Sequence, residues 1–132
     1  MKVGYASWSL DVAPGWHPRY DPECLTITPA ANDAVLQLSS MVKRGGVVTD
    51  DDLQGQAFRE SEQMGGASPV RFAKFRGLAV SYVSEGISWR RLWLAHENVL
   101  LFVTVNASAK RLAAYEADIL RMLESLAPAD VA

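Results

Sequence analysis

Few residues in this chain are of the kinds that do chemistry, and their spacing separates sites from scaffolding. The two histidines, His17 and His96, lie far apart. Neither stands at a metal-ligand spacing from the other or from Cys24. Cys24 is the single cysteine, so it forms no internal disulfide, which fits a reducing compartment. As a nucleophile it would need an adjacent base and an exposed thiolate. Its strand context predicts a small buried side chain instead. Asp50-Asp51-Asp52 offers adjacent carboxylates, but a calcium loop alternates its oxygen ligands and closes with glutamate at the twelfth position. Counted from Asp50, that position holds Ser61. No GxSxG is present, and Gly45-Gly46 lacks the lysine-plus-hydroxyl ending of a phosphate loop. The sequence therefore predicts no catalytic residue, no metal site and no cofactor, unless scattered residues assemble a site on folding.

The densest chemical signal is GISWRRLWLAHEN, Gly86 to Asn98, which interleaves two tryptophans with two arginines. Read as a strand, it sends successive side chains to opposite faces. With Glu85-Gly86 as a two-residue turn, Ser84 pairs with Ile87, Tyr82 with Trp89, Val80 with Arg91 and Leu78 with Trp93. One face then carries Tyr82, Trp89, Arg91 and Trp93, joined by Leu100 and Phe102. The other carries Ala79, Val83, Leu92, Leu94, Leu101 and Val103 and is aliphatic. Arg91 is expected to stack on a tryptophan and pair with an acidic residue, while Arg90 reaches solvent from the opposite face. Stacked aromatics beside basic residues also mark single-strand nucleic-acid platforms. Here, strand alternation splits Arg71, Lys74, Arg76, Arg90 and Arg91 between faces. The net charge is −2, so the sequence argues against nucleic acid and anionic membrane as partners.

Those side chains need a scaffold. The chain of 132 residues fits one domain, residues 1–132, able to bury a core without staples. Strands are expected over Ser7–Val12, Leu25–Thr28, Ala34–Val42, Val70–Phe75, Leu78–Ser84, Ile87–Ala95 and Val99–Val105. The turns between the last four are read at Arg76-Gly77, Glu85-Gly86 and Glu97-Asn98. Pro14 to Pro18 reads as a loop. Thr49 can cap a helix whose first turn holds the three aspartates, at the positive end of its dipole. Leu53, Ala57 and Met64 share one side of it, and Gly65-Gly66 ends it. Gly55 inside it costs roughly 1 kcal/mol against alanine. In the last helix, Leu112, Tyr115, Ile119, Met122, Leu123 and Leu126 fall at helical spacing, with Ser108 as cap and Pro128 as stop. Both faces of the strand meander are apolar, so both need cover. The expected fold is α+β: an antiparallel sheet of about six or seven strands with helices packed on both faces, an α/β/α sandwich. The longest apolar run, Val99 to Val105, is strand length, and no signal peptide is visible. The chain reads as cytoplasmic, unless a leader has been trimmed from it.

Three stretches carry a family resemblance. They are VAPGW (Val12–Trp16), TDDDL (Thr49–Leu53), and LLFVTVNAS (Leu100–Ser108) followed by a helix closing in LESLAP (Leu123–Pro128). On these the chain resembles the PsbP-like superfamily, which takes in Ran-binding Mog-type and DcrB-like small bacterial proteins. The resemblance covers most of the chain. It implies an α/β/α sandwich and an accessory or binding role without established catalysis, and it transfers no functional residue. The chain departs from many secreted bacterial relatives in showing no lipoprotein leader. The expected function is a small non-catalytic accessory protein whose partner is another protein, with a toxin-neutralising immunity protein as one version. The candidate contact residues are Trp16, Tyr20, Tyr82, Trp89, Arg91 and Trp93, with Trp8 beside them. The alternative is a binder of a small anionic ligand, or an unrecognised enzyme, with a pocket among Tyr82, Trp89, Arg91 and Trp93. Outer strands in the first third leave a weak homodimer open beside the monomer.

Overall fold

Tight turns organise the second half of the chain. In the computed structural model, which describes residues 1–63 and 66–129, Ala73, Glu85 and Glu97 each open a two-residue turn with φ of 55°, 52° and 53°. These turns join β6 (Ser68–Phe72), β7 (Phe75–Ser84), β8 (Ile87–His96) and β9 (Val99–Ser108). The β7–β8 register pairs Tyr82 with Trp89, Val80 with Arg91 and Leu78 with Trp93, as the Glu85-Gly86 turn dictates. The first of the three turns corrects the sequence reading. It lies at Ala73-Lys74, closed by Phe72 opposite Phe75, and Arg76-Gly77 continues β7. Gly77 serves a close approach rather than a turn: a Cβ there would meet the Trp93 carbonyl oxygen at 1.7 Å.

Earlier in the chain come β1 (Lys2–Tyr5), β2 (Trp8–Asp11), β3 (Trp16–Tyr20), β4 (Leu25–Pro29), β5 (Ala34–Val42) and the helix α1 (Asp50–Gln63). After β9 come α2 (Ala109–Glu124) and β10 (Ala127–Pro128). Seven strands form one antiparallel sheet in the order β3-β4-β5-β9-β8-β7-β6. A second, three-stranded sheet has the order β1-β2-β10. Trp16 to Pro18, read as part of a loop, thus belong to the outer strand on one side, and Pro128 is a strand residue as well as a helix stop. Each outer strand of the large sheet carries a proline, Pro18 and Pro69. A strand proline is tolerated where its missing N–H would face solvent, and there it blunts the edge against further pairing. That weighs against chain-to-chain pairing through these edges.

The two sheet faces take different helices. α2 lies on the aliphatic face, where Ile119, Met122, Leu123 and Leu126 pack with Leu36, Leu38, Leu92, Leu94, Leu101 and Val103. Ser108 caps it by accepting a hydrogen bond from the Arg111 N–H at 3.3 Å. Arg90 does not run out to solvent alone. Both its terminal nitrogens fork onto the Glu116 carboxylate at 2.6 Å each, tying β8 to α2. α1 lies on the aromatic face, where Val48, Leu53 and Ala57 pack with Val80, Trp93, Ala95 and Leu100. Its start is a reciprocal cap: the Thr49 hydroxyl accepts from the Asp52 N–H at 3.1 Å, and the Asp52 carboxylate accepts from the Thr49 N–H at 2.9 Å. Met64 and Gly65, assigned above to this helix's contact side and stop, lie outside the described residues. Among the described residues no helix is long and apolar enough to cross a membrane.

Candidate functional site: the open half of the aromatic face

Antiparallel pairing lines up side chains in rows across the sheet, and on α1's face the rows can be read from the register. One row is Met41, Leu100, Ala95 and Arg76; the next is Ser39, Phe102, Trp93 and Leu78. A third is Gln37, Thr104, Arg91 and Val80, and a fourth Val35, Asn106, Trp89 and Tyr82. α1 packs on β7 and β8, so it covers the first two rows at their β8 end. Their β5 end stays accessible: Met41 is 53% exposed, and Ser39 and Phe102 are half-buried. Clefts of about 140, 230 and 110 Å³ follow one another along this flank of α1. They share Met41, Leu100 and Gln56 at one junction and Ser39 and Phe102 at the next. Together they make a shallow groove with an apolar and aromatic floor, a neutral rim of Gln37 and Ser39 at one end and the Lys43–Asp52 ion pair at the other.

At the far end of the groove stands a three-residue ladder. The Tyr82 and Trp89 rings stack with centroids 6.4 Å apart and planes 12° apart. The Arg91 guanidinium lies over the Trp89 ring, 5.2 Å from its centroid, within cation–π range. Arg91 Nε donates to the Tyr82 hydroxyl at 2.9 Å. The partner that fixes Arg91 among the described residues is thus a phenol, where an acidic residue had been expected. All three side chains are half-buried. The ladder holds one cation at a set height above a neutral surface, which suits recognition more than proton transfer.

The other candidate residues are placed elsewhere. Trp93 shares the face but is buried beneath α1, against Phe102 at 5.6 Å. Trp16 is buried on the α2 side, where its indole N–H donates to Asp118 at 3.0 Å and its ring meets Tyr115 edge-on. Tyr20 is exposed, yet its hydroxyl accepts the Gly4 N–H at 3.0 Å and its ring meets Tyr5 edge-on at 5.4 Å. Both serve as joints between the large sheet and its neighbours. Trp8 is fully buried in the core. His17 is exposed on β3, and His96 ends β8 with Nδ1 3.1 Å from the Lys74 carbonyl oxygen. Cys24 is half-buried, less enclosed than its strand context suggested, with Sγ 3.9 Å from the Thr26 hydroxyl. Among the described residues no three His, Cys, Asp or Glu side chains stand together as a metal-binding group. The β5 contribution of Gln37, Ser39 and Met41 was missed by sequence reasoning. Its signal was the alternation with buried Leu36 and Leu38.

No protein-family model matches the chain, and no curated protein matches it. Among solved structures, the chain is similar to one from Bacteroides thetaiotaomicron VPI-5482, at 14% identity and a TM-score of 0.69. That match covers 93% of this chain and 45% of the other, so the chain spans less than half of that protein's length. The chain is also similar to cyanobacterial PsbP (CyanoP) from Synechocystis sp. PCC 6803, at 11% identity and a TM-score of 0.49, covering 96% of this chain and 95% of that one. The Bacteroides likeness shows a shared fold and nothing of function. The CyanoP likeness is too slight to take the PsbP-like resemblance further, and neither names a Mog-type or DcrB-like protein.

Proposed function

We propose that the protein is a non-catalytic accessory protein that binds another protein through the open half of its aromatic face. One observation carries this reading: the apolar rows under α1 run on past the helix into the accessible groove of Phe102 and Met41. The residues there have the composition of an interface centre, with aromatics, methionine and one arginine, and few charges. The partner best suited to the groove is an amphipathic helix laid beside α1, apolar side down on Met41 and Phe102, with an acidic residue toward Arg91. Neutralising a toxin is one form such binding would take. A pocket for a small anion among Tyr82, Trp89, Arg91 and Trp93 has less support, because Trp93 lies under α1 and Arg91 Nε is held by Tyr82.

The test is recovery of a stoichiometric partner from the native host, followed by Ser39→Arg and Met41→Asp. Both positions are accessible, so folding should survive while binding is lost. Hydrogen exchange in the complex should slow in β5 and β9. A partner that binds both variants normally, or protects the β3 and α2 side instead, overturns the proposal. So does repeated recovery without any stoichiometric partner.

A further inference from the structure

A separate cleft lies on the other flank of α1. It measures about 520 Å³ and opens between the first turns of α1 and the β6–β7 hairpin. Leu53, Pro69 and Leu78 give it apolar walls, and Asp50, Arg71 and Arg76 line it with charge. Those two arginines are direct cross-strand partners. Arg76 shares its row with Ala95, which packs under α1, so both point to α1's side of the sheet. Like charges placed directly opposite destabilise a strand pair unless something offsets them. Arg76 is offset: it forms an ion pair with Asp50 and donates to the Val48 carbonyl at 3.3 Å. Arg71 has no hydrogen-bond or ion-pair partner among the described residues. Lys74 in the hairpin turn adds a third cation. Of the other nearby carboxylates, Asp52 is drawn to Lys43 at 2.6 Å and Glu97 toward His96 at 3.8 Å. That leaves the exposed Asp51 beside Asp50 in the first turn of α1, two carboxylates against the three cations. This corner is therefore locally cationic in a chain whose net charge is −2.

We propose that this cleft binds a small carboxylate bearing a short apolar tail. The carboxylate forks onto the Arg71 guanidinium, on the side facing Arg76, and supplies the missing counter-charge. The tail lies against Leu53, Leu78 and Pro69, the apolar side of a cleft whose other lining includes Asp50, Gln54, Arg71 and Arg76. The cleft and the groove lie on opposite flanks of α1, so this site and the protein-binding face succeed or fail independently.

The experiment is an NMR titration of the whole chain with octanoate, with octanol and inorganic phosphate as comparators. Octanoate should give saturable shifts at the Leu53, Val70 and Arg71 amides. Octanol and phosphate should each bind about tenfold more weakly or worse, since each lacks one half of the recognition. Arg71→Gln should weaken octanoate by about tenfold with a melting temperature unchanged or slightly raised, because Arg71 is exposed and its charge stands opposite Arg76. Arg71→Lys keeps the charge but loses the fork and should also weaken it. Met41→Asp, across the helix, should leave octanoate binding intact. The proposal is overturned by no saturable shift with octanoate, by octanol or phosphate binding as tightly, or by normal affinity in Arg71→Gln.

Discussion

Replacing Gly77 with alanine separates two accounts of the β6–β7–β8 region. A glycine in an Arg76-Gly77 turn would tolerate a methyl group with little packing cost. In the structure Gly77 pairs with Leu94 inside the sheet, and an added Cβ would stand 1.7 Å from the Trp93 carbonyl oxygen and 2.7 Å from its carbon. Both are backbone atoms, so no side chain can swing away. The strands must part locally by about 1 Å or more, against a ladder spacing of ~4.8 Å. Overpacking of this kind costs ~1–3 kcal/mol, and a lost ladder hydrogen bond adds about 1 kcal/mol. Together that is roughly 2–4 kcal/mol of destabilisation. At ~2.1 cal/mol/K per residue, unfolding 132 residues carries an entropy of about 0.28 kcal/mol/K. Gly77→Ala should then lower Tm by roughly 7–14 K in a thermal melt followed by circular dichroism. Gly86→Ala is the control. Gly86 has φ of 78° and open space around it, so alanine there costs only about 1 kcal/mol in added backbone strain, or roughly 4 K. A Gly77→Ala protein melting within about 2 K of wild type, or losing less than Gly86→Ala, would refute the placement of Gly77 in β7.

Other expectations follow from the packing and the charges. Leu101→Ala, beneath α2 and fully buried, should cost ~2–5 kcal/mol in denaturant unfolding. Val83→Ala, on the same sheet side but exposed, should stay within ~0.5 kcal/mol; equal losses would mean α2 does not cover that face. The Asp52 carboxyl is held down from 3.8 to about 2, first by its hydrogen bond with Lys43 and then by the Thr49 N–H. A folded-state value below the unfolded one gives stability that is complete above about pH 4 and drains away as the pH falls toward 2. Asp52→Asn should therefore melt below wild type at neutral pH and converge with it near pH 2. Parallel Tm curves across that window would show that the carboxylate is not the cause.

The meander of β7, β8 and β9 was legible because its information is local. Glu85-Gly86 fixes the register, and the alternation of Trp89, Arg91 and Trp93 with Arg90, Leu92 and Leu94 fixes the faces. The Ala73-Lys74 turn was not legible, since it contains no glycine while Gly77 three residues on offers a false signal. Trp16 to Tyr20 was hidden by Pro18, which argues against a strand except at an edge. Half of the groove was beyond local reading. It depends on β5 pairing with β9, which sets Gln37 beside Thr104 and Met41 beside Leu100 across some sixty residues of chain. Trp16 and Trp93 could not be told from surface aromatics, because the same side chains dominate cores and interfaces. Burial, which follows from where the helices settle, makes the distinction.

Acrylamide quenching of tryptophan fluorescence probes the open face most directly. Of the four tryptophans, Trp8, Trp16 and Trp93 are 0%, 5% and 4% exposed, while Trp89 stands half-buried in the ladder. Quenchable emission should come almost wholly from Trp89, and Trp89→Phe should remove it. Equal quenching of the wild-type and Trp89→Phe proteins would mean that this half of the sheet is closed to solvent, and the proposed binding face would go with it.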